Sequence, residues 1–264
     1  MSIRRGYSDT PAVQVHWRMA GEAGGAPDLV CLHPAPFSGL AFTTIMPLLA
    51  RNRQVIAPDF PGHGGSDPGR ADATIADYAQ AMASVVEDLA GSVPVDLFGF
   101  HTGCLVACEL ALTRPQAVRR LVLVDVPAFD PETRADQLAE SAVPPGFTPE
   151  LESLAPAWER GITRRIESQG MDRSFAMFVE QLRHGEAMNA GFHAGFSYEV
   201  EDRLARIAHP ATVIATQSGL LDATRRAARL IPQARLVERL DITRAVLDEA
   251  AAETASEVLR ALDA

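Results

Sequence analysis

The residues best suited to do chemistry lie in a short segment in which two glycines flank a histidine, Gly99-Phe-His101-Thr-Gly103. The residues before this segment are typical of a buried strand and those after it of a helix, so the histidine is expected in a tight turn. Small neighbours let a central side chain project from such a turn. A neutral imidazole presented there is both a nucleophile and a base, and it needs no second residue to remove a proton first. His101 is therefore the first candidate for catalysis.

A histidine that fills the turn without any chemical role is the alternative. A buried imidazole needs hydrogen-bond partners, so histidine is a costly filler compared with alanine or glycine. The helix that begins near Thr102 carries partial positive charge at its N-terminus, which disfavours the imidazolium. We therefore expect His101 to be neutral near pH 7.

Short β-branched runs alternate along the chain with longer stretches that have apolar residues at three- and four-residue spacing. This alternation predicts an α/β fold with a mostly parallel central sheet flanked by helices. The predicted strands are 13–17, 29–32, 54–58, 95–100, 121–126, 212–216 and 235–238. The predicted helices are 40–50, 75–89, 103–113, 222–230 and 247–262.

The alternation stops between about residues 127 and 208, where prolines interrupt a polar segment with helical patterning. We interpret residues 128–205 as a small helical lid inserted into a core formed by residues 1–127 and 206–264. A lid over the strand ends lies where open α/β sheets bind their ligands.

The basic residues exclude several classes of enzyme, because all 24 of them are arginine and the sequence has no lysine. A phosphate-binding loop with its lysine, a Schiff-base enzyme and a Ser-x-x-Lys acyltransferase are excluded. The net charge of −10 argues against nucleic acid and against an anionic membrane surface as partners. Histidine, cysteine and carboxylate residues do not occur at metal-ligand spacing, so we expect no metal and no other cofactor.

The three cysteines argue against a disulfide framework, since they are odd in number and lie in apolar surroundings. The sequence shows neither an apolar run of membrane-spanning length nor the pattern of a secretory leader. We therefore expect a cytoplasmic protein whose partner is a small-molecule substrate or ligand. A homodimer is compatible with these features.

Further motifs occur on either side of the histidine turn. His33-Pro-Ala-Pro36 follows one predicted strand, Asp59-Phe-Pro-Gly-His-Gly-Gly-Ser-Asp67 follows the next, and Arg119–Pro127 forms the strand after the helix of the turn. With these motifs the chain resembles the α/β-hydrolase superfamily over nearly its whole length. They are similar to that family's oxyanion loop, its D-x-P-G-x-G-x-S-D loop and the strand that follows its nucleophile elbow. The resemblance implies an α/β-hydrolase fold with a cap.

The resemblance also places His101 where the family's G-x-S-x-G elbow carries a serine. The other two positions of the family's triad have changed as well, because residues 217–222 offer no carboxylate at the usual acid position and Thr243 or Arg244 stands at the base position. A serine-hydrolase mechanism of the usual kind is therefore not expected. Asp125 ends the strand after the elbow helix, where some relatives carry an alternative acid, and is the second catalytic candidate.

Three classes of function follow. His101 could attack an ester, thioester or lactone, or direct a water at it, with the backbone N–H groups of Ala35 and Thr102 as the oxyanion hole. It could instead act as the general base of a cofactor-free lyase, isomerase or cyclase, or the protein could bind a ligand without turnover. We favour the hydrolase, on the analogy of the fold. The candidate substrate contacts are His33, Phe37, Phe100, His193, Tyr198 and Arg244.

Overall fold

The computed structural model of the chain describes residues 2–142 and 148–264. Eight of its segments are strands: β1 (Arg4–Asp9), β2 (Gln14–Ala20), β3 (Leu29–Leu32), β4 (Val55–Pro58), β5 (Val95–Phe100), β6 (Val118–Val124), β7 (Ala211–Thr216) and β8 (Ala234–Arg239). They form one sheet in the order β1-β2-β4-β3-β5-β6-β7-β8. β2 is antiparallel to both of its neighbours, and the remaining pairs are parallel. The predicted α/β fold with a mostly parallel sheet is confirmed.

Helices cover both faces of this sheet. The α-helices are α1 (Met46–Leu49), α2 (Ile75–Ala90), α3 (Thr102–Thr113), α4 (Pro131–Ser141), α5 (Ala155–Trp158), α6 (Ile166–Gln169), α7 (Met171–Leu182), α8 (Ala190–Phe196), α9 (Val200–Ala205), α10 (Leu221–Leu230) and α11 (Ala251–Leu262). Short 3₁₀ turns lie at Gly39–Phe42, Pro115–Ala117, Leu151–Leu154 and Gly185–Asn189, and a π-helical turn lies at Glu159–Thr163.

The central strand β3 shows how the sheet separates two apolar layers. Val30 and Leu32 pack in the cluster that contains α2 and α3, whereas Leu29 and Cys31 pack in the cluster that contains α1 and α11. Successive side chains of a strand point to opposite faces, so a strand covered on both sides is apolar throughout. The register of Leu32 beside Gly99 brings the end of β3 next to the end of β5.

The structure differs from the sequence prediction at several places, of which three concern the presence, division or start of an element. β1 was not predicted, because this edge strand carries mostly exposed polar residues. The predicted helix 40–50 is divided into a 3₁₀ turn and α1, since Pro47 has no N–H with which to continue a helix. The predicted helix 247–262 begins later, at Ala251.

The predicted lid, 128–205, contains α4 to α9 and no strand among its described residues, and part of it, 143–147, lies outside them. Strand and helix alternation resumes at β7. Among the described residues no helix combines the length and the apolar character that crossing a membrane requires.

Candidate active site

His101 is the single residue between β5 and α3. Its φ of 51° and ψ of −121° form a conformation that is costly for any residue with a side chain. A Cβ on Gly103 would overlap the carbonyl oxygen of Leu32, and one on Gly99 would lie 2.6 Å from the Cα of Cys104. Both glycines are therefore needed for the close packing of β3, β5 and α3 that holds the strained turn.

A cavity of about 510 Å³ lies at the carboxyl ends of the central strands. This is a common location for the ligands of parallel sheets, and the volume suits a small molecule. The cavity is lined by six of the residues predicted from the sequence: Ala35, Phe37, Phe100, His101, Asp125 and Arg244.

The imidazole of His101 is half-buried, with its ring centroid 4.2 Å from that of Phe100. Burial lowers the pKa of His101 below its ordinary value of 6.5, the carboxylate of Asp125 raises it, and the charge of Arg165 lowers it. His101 is therefore neutral at pH 7, with burial as the largest of these causes. Within residues 2–142 and 148–264 the imidazole has no hydrogen-bond partner, so its nitrogens are available to a ligand.

Asp125 follows β6 and is fully buried, with a positive φ of 53°. Its Oδ1 accepts the backbone N–H of Thr216 at 2.9 Å, and its Oδ2 accepts the hydroxyl of the same residue at 2.7 Å. These bonds fix the carboxylate beside the elbow. Asp125 thus acts on His101 through its charge.

The two predicted oxyanion donors also lie beside the elbow. Thr102 begins α3, and the first N–H groups of a helix have no partner within it. Ala35 follows β3 and lines the cavity. Neither backbone N–H donates to an acceptor in the described part of the chain, so both are available to a developing oxyanion.

Three of the predicted substrate contacts lie away from the cavity lining. His33 is fully buried, and its Nε2 accepts the backbone N–H of Phe60 at 2.9 Å. The hydroxyl of Tyr198 donates to the buried carboxylate of Glu109 at 2.9 Å, and His193 is exposed on α8. We leave these three residues out of the site, because each serves packing or faces solvent in this structure.

The lid contributes side chains to the cavity that the sequence does not predict. Three arginines and a glutamine of the lid line it, together with a methionine: Arg160, Arg164, Arg165, Gln169 and Met177. The signal was present, since arginine is the only basic residue type and several arginines fall between 160 and 173. The direction in which these arginines point could not be predicted, because the π-helical turn at 159–163 does not follow the 3.6-residue period of an α-helix.

Ser218, Thr243 and Arg244, which lie in the segments where the sequence resemblance implies the acid and base positions, also line the cavity. Arg244 is exposed and pairs with Glu249 at 2.9 Å. His101 is the only histidine that lines the cavity in the described residues. Those residues contain no group of three or more potential metal ligands.

Comparison with known proteins gives one family and several relatives. The family model described as the alpha/beta hydrolase fold matches residues 27–241. The pimeloyl-[acyl-carrier protein] methyl ester esterase of Aeromonas hydrophila is 30% identical over 61% of this chain and 61% of its own length. A haloalkane dehalogenase of Mycobacterium marinum is 36% identical over 45% of this chain and 40% of its own length.

The match to the first curated relatives, which are mycobacterial, spans only 30% of their length. Among solved structures, the enol-lactonase of Burkholderia xenovorans LB400 superposes with a TM-score of 0.79 and 22% identity. That superposition covers 98% of this chain and all of the other. It shows a shared fold.

Proposed function

Because the chain belongs to the α/β-hydrolase fold family, we propose that it hydrolyses a small ester, thioester or lactone, with His101 in place of the usual serine. The observation that carries this proposal is the conformation of the elbow. Its strained backbone and both close-packed glycines are present, and the residue they hold at the cavity is a neutral imidazole. An esterase among the curated relatives agrees with this reaction class.

The proposed reaction begins with a water molecule between His101 and the substrate carbonyl. The imidazole accepts a proton from this water while the water oxygen bonds to the carbonyl carbon. The backbone N–H groups of Ala35 and Thr102 stabilise the oxyanion that forms. The imidazolium then returns the proton to the leaving oxygen or sulfur as its bond to the carbonyl carbon breaks.

Asp125 has a defined part in this sequence of steps. Its carboxylate favours the positive imidazolium, which exists only between the two proton transfers. Both of its oxygens are held by Thr216, so the charge remains in place while the reaction proceeds.

Initial rates with short 4-nitrophenyl esters, acyl thioesters and lactones test the proposal. We expect His101→Ala to lower kcat/KM by about 10²- to 10⁴-fold, which is the usual contribution of a general base. His209→Ala is the matched control, because that histidine contacts Pro115 outside the cavity. Equal rates for wild type and His101→Ala, or no turnover by either, would overturn the proposal, and ligand binding without turnover would favour a non-catalytic binding protein.

A further inference from the structure

The wall of the cavity that the lid supplies carries unusual positive charge. Four arginines and two aspartates line the cavity, although the whole chain has a net charge of −10. Two of these arginines have carboxylate partners, since Arg164 pairs with Glu159 and Arg244 pairs with Glu249. Of the four arginines, Arg160 and Arg165 are therefore the two whose charge is not matched by a paired carboxylate among the described residues.

Arg165 differs from Arg164 and Arg244. It is half-buried and its guanidinium lies 5.7 Å from the centroid of the Phe37 ring. It makes no ion pair within 4 Å of a carboxylate among residues 2–142 and 148–264. A guanidinium that has lost part of its hydration without gaining an anion is unfavourable, so the site favours an anion from outside.

The two aspartates of the cavity do not meet this need. Asp125 accepts both of its short hydrogen bonds from Thr216. Asp248 pairs with Arg173 at 2.9 Å and also accepts from Gln169 at 3.1 Å. Both carboxylates are therefore engaged by hydrogen bonds from other groups. Burial lowers the pKa of Arg165 by more than the charge of Asp248 raises it, so the guanidinium would still gain from an anion in the cavity.

The backbone explains why the lid presents more than one arginine there. The N–H of Arg164 donates to the carbonyl of Glu159 at 3.1 Å, which is the i to i+5 bond of a π-helical turn. Arg160 lies in this turn, and Arg165 follows it, with its N–H donating to the carbonyl of Ile162 at 3.0 Å. Both arginines line the cavity. Arg160 likewise makes no ion pair with a described carboxylate. Single π-helical turns occur frequently at functional sites.

We propose that the substrate carries a carboxylate, which binds the guanidinium of Arg165 while its reacting carbonyl lies at His101. The planar guanidinium matches a carboxylate with two parallel hydrogen bonds, and the ring of Phe37 supports the guanidinium from its face. The substrate class is thus a short acid that also contains an ester, thioester or lactone group. This inference rests on the proposed function for the position of the carbonyl, whereas binding of the carboxylate requires no turnover.

Two esters with four-carbon acyl groups test the specificity. 4-Nitrophenyl hydrogen succinate ends in a carboxylate and 4-nitrophenyl butyrate in a methyl group. At pH 8, where His101 is neutral, we expect Arg165→Gln to lower the succinate-to-butyrate ratio of kcat/KM by about tenfold or more, mainly through KM. Arg165→Lys retains the charge and is expected to lose less. Arg206→Gln is the control, because that arginine is exposed and pairs with Asp202 outside the cavity.

Calorimetric titration with glutarate and with uncharged glutaramide at pH 8 separates this inference from the proposed function. We expect glutarate to bind wild type and His101→Ala alike, and to bind Arg165→Gln about tenfold more weakly or worse. Equal glutarate affinity for wild type and Arg165→Gln, or equal affinity of wild type for both compounds, would overturn the inference. Normal ester turnover by His101→Ala together with Arg165-dependent glutarate binding would refute the proposed function and leave the carboxylate site standing.

Discussion

Asp125 receives both of its short hydrogen bonds from one residue, Thr216, through the backbone N–H at 2.9 Å and the hydroxyl at 2.7 Å. A carboxylate held in this way cannot rotate toward His101 without losing a bond. It therefore influences the imidazole through charge alone, and the effect of that charge can be measured as a shift in a pH profile.

Asp125→Asn removes the negative charge and keeps the shape of the side chain. Because Asp125 raises the pKa of His101, its loss is expected to lower that pKa. The acid limb of kcat/KM for 4-nitrophenyl butyrate should move to lower pH, since the neutral imidazole persists further into acid. The plateau rate should fall, because the imidazolium intermediate loses its counter-charge. An acid limb at the wild-type pH would contradict this account of Asp125.

Arg165→Gln should move the acid limb of the kcat/KM profile to higher pH, opposite to the effect of Asp125→Asn. The charge of Arg165 disfavours the imidazolium, so its removal raises the pKa of His101. Activity toward the uncharged butyrate ester should then begin to fall at a higher pH than in wild type. The acid limb of the wild-type pH profile should therefore lie between those of the two variants. Shifts in the same direction in both variants would refute the opposite effects of Asp125 and Arg165 on the pKa of His101.

The parts of this molecule that could be predicted from sequence are those governed by local pattern. The flanking glycines of the elbow and the apolar strands follow from backbone sterics and from side-chain alternation, and the structure has them where expected. The carboxylate-binding role proposed for Arg165 depends on which carboxylates lie near it in space. That depends in turn on Arg173 occupying Asp248, a contact between residues 75 positions apart. The position of Tyr198 outside the cavity lining is equally hard to predict, since its partner Glu109 lies on α3, 89 positions earlier in the chain.

The strained backbone of His101 predicts an unusual order of stability among its variants. At φ 51° and ψ −121° glycine is unstrained, whereas alanine bears the same conflict as histidine. His101→Gly is therefore expected to be about 1 kcal/mol more stable than His101→Ala in urea unfolding, although glycine usually destabilises. Neither variant should retain the proposed hydrolysis, which requires the imidazole. If the alanine variant were the more stable of the two, the turn would not be strained in solution.

Gly103→Ala tests the packing that holds this turn. The added methyl would overlap the carbonyl oxygen of Leu32, and a backbone atom cannot move aside as a flexible side chain can. We expect a loss of stability of about 1–3 kcal/mol or more, as for an overpacked core. Gly219→Ala is the matched control, because a Cβ there meets nothing within 4 Å. Similar unfolding midpoints for the two variants would show that β3 and α3 are not in close contact at this point.

Two buried histidines, His63 in the Pro61–Ser66 loop and His33 beside it, predict how the stability of the fold depends on pH. Burial lowers the pKa of His33 to about 4, against an opposing effect of Asp59. Burial, with the charge of His33, lowers the pKa of His63 to about 3. The geometry at His33 agrees, because its Nε2 accepts the N–H of Phe60 and so cannot also carry a proton.

In the unfolded chain both histidines take up protons near pH 6.5, whereas in the folded protein they remain neutral until pH 4 or below. The unfolded state therefore binds more protons between these values, and the free energy of unfolding must fall as the pH falls below about 6.5. Each histidine contributes a slope of about 1.4 kcal/mol per pH unit. Urea unfolding at pH 7.5 and 5.0 measures the loss, and His63→Phe, which keeps a planar ring and cannot titrate, should lose less than wild type over the same interval. An identical pH dependence for the two proteins would mean that His63 is protonated at the same pH in the folded and unfolded states.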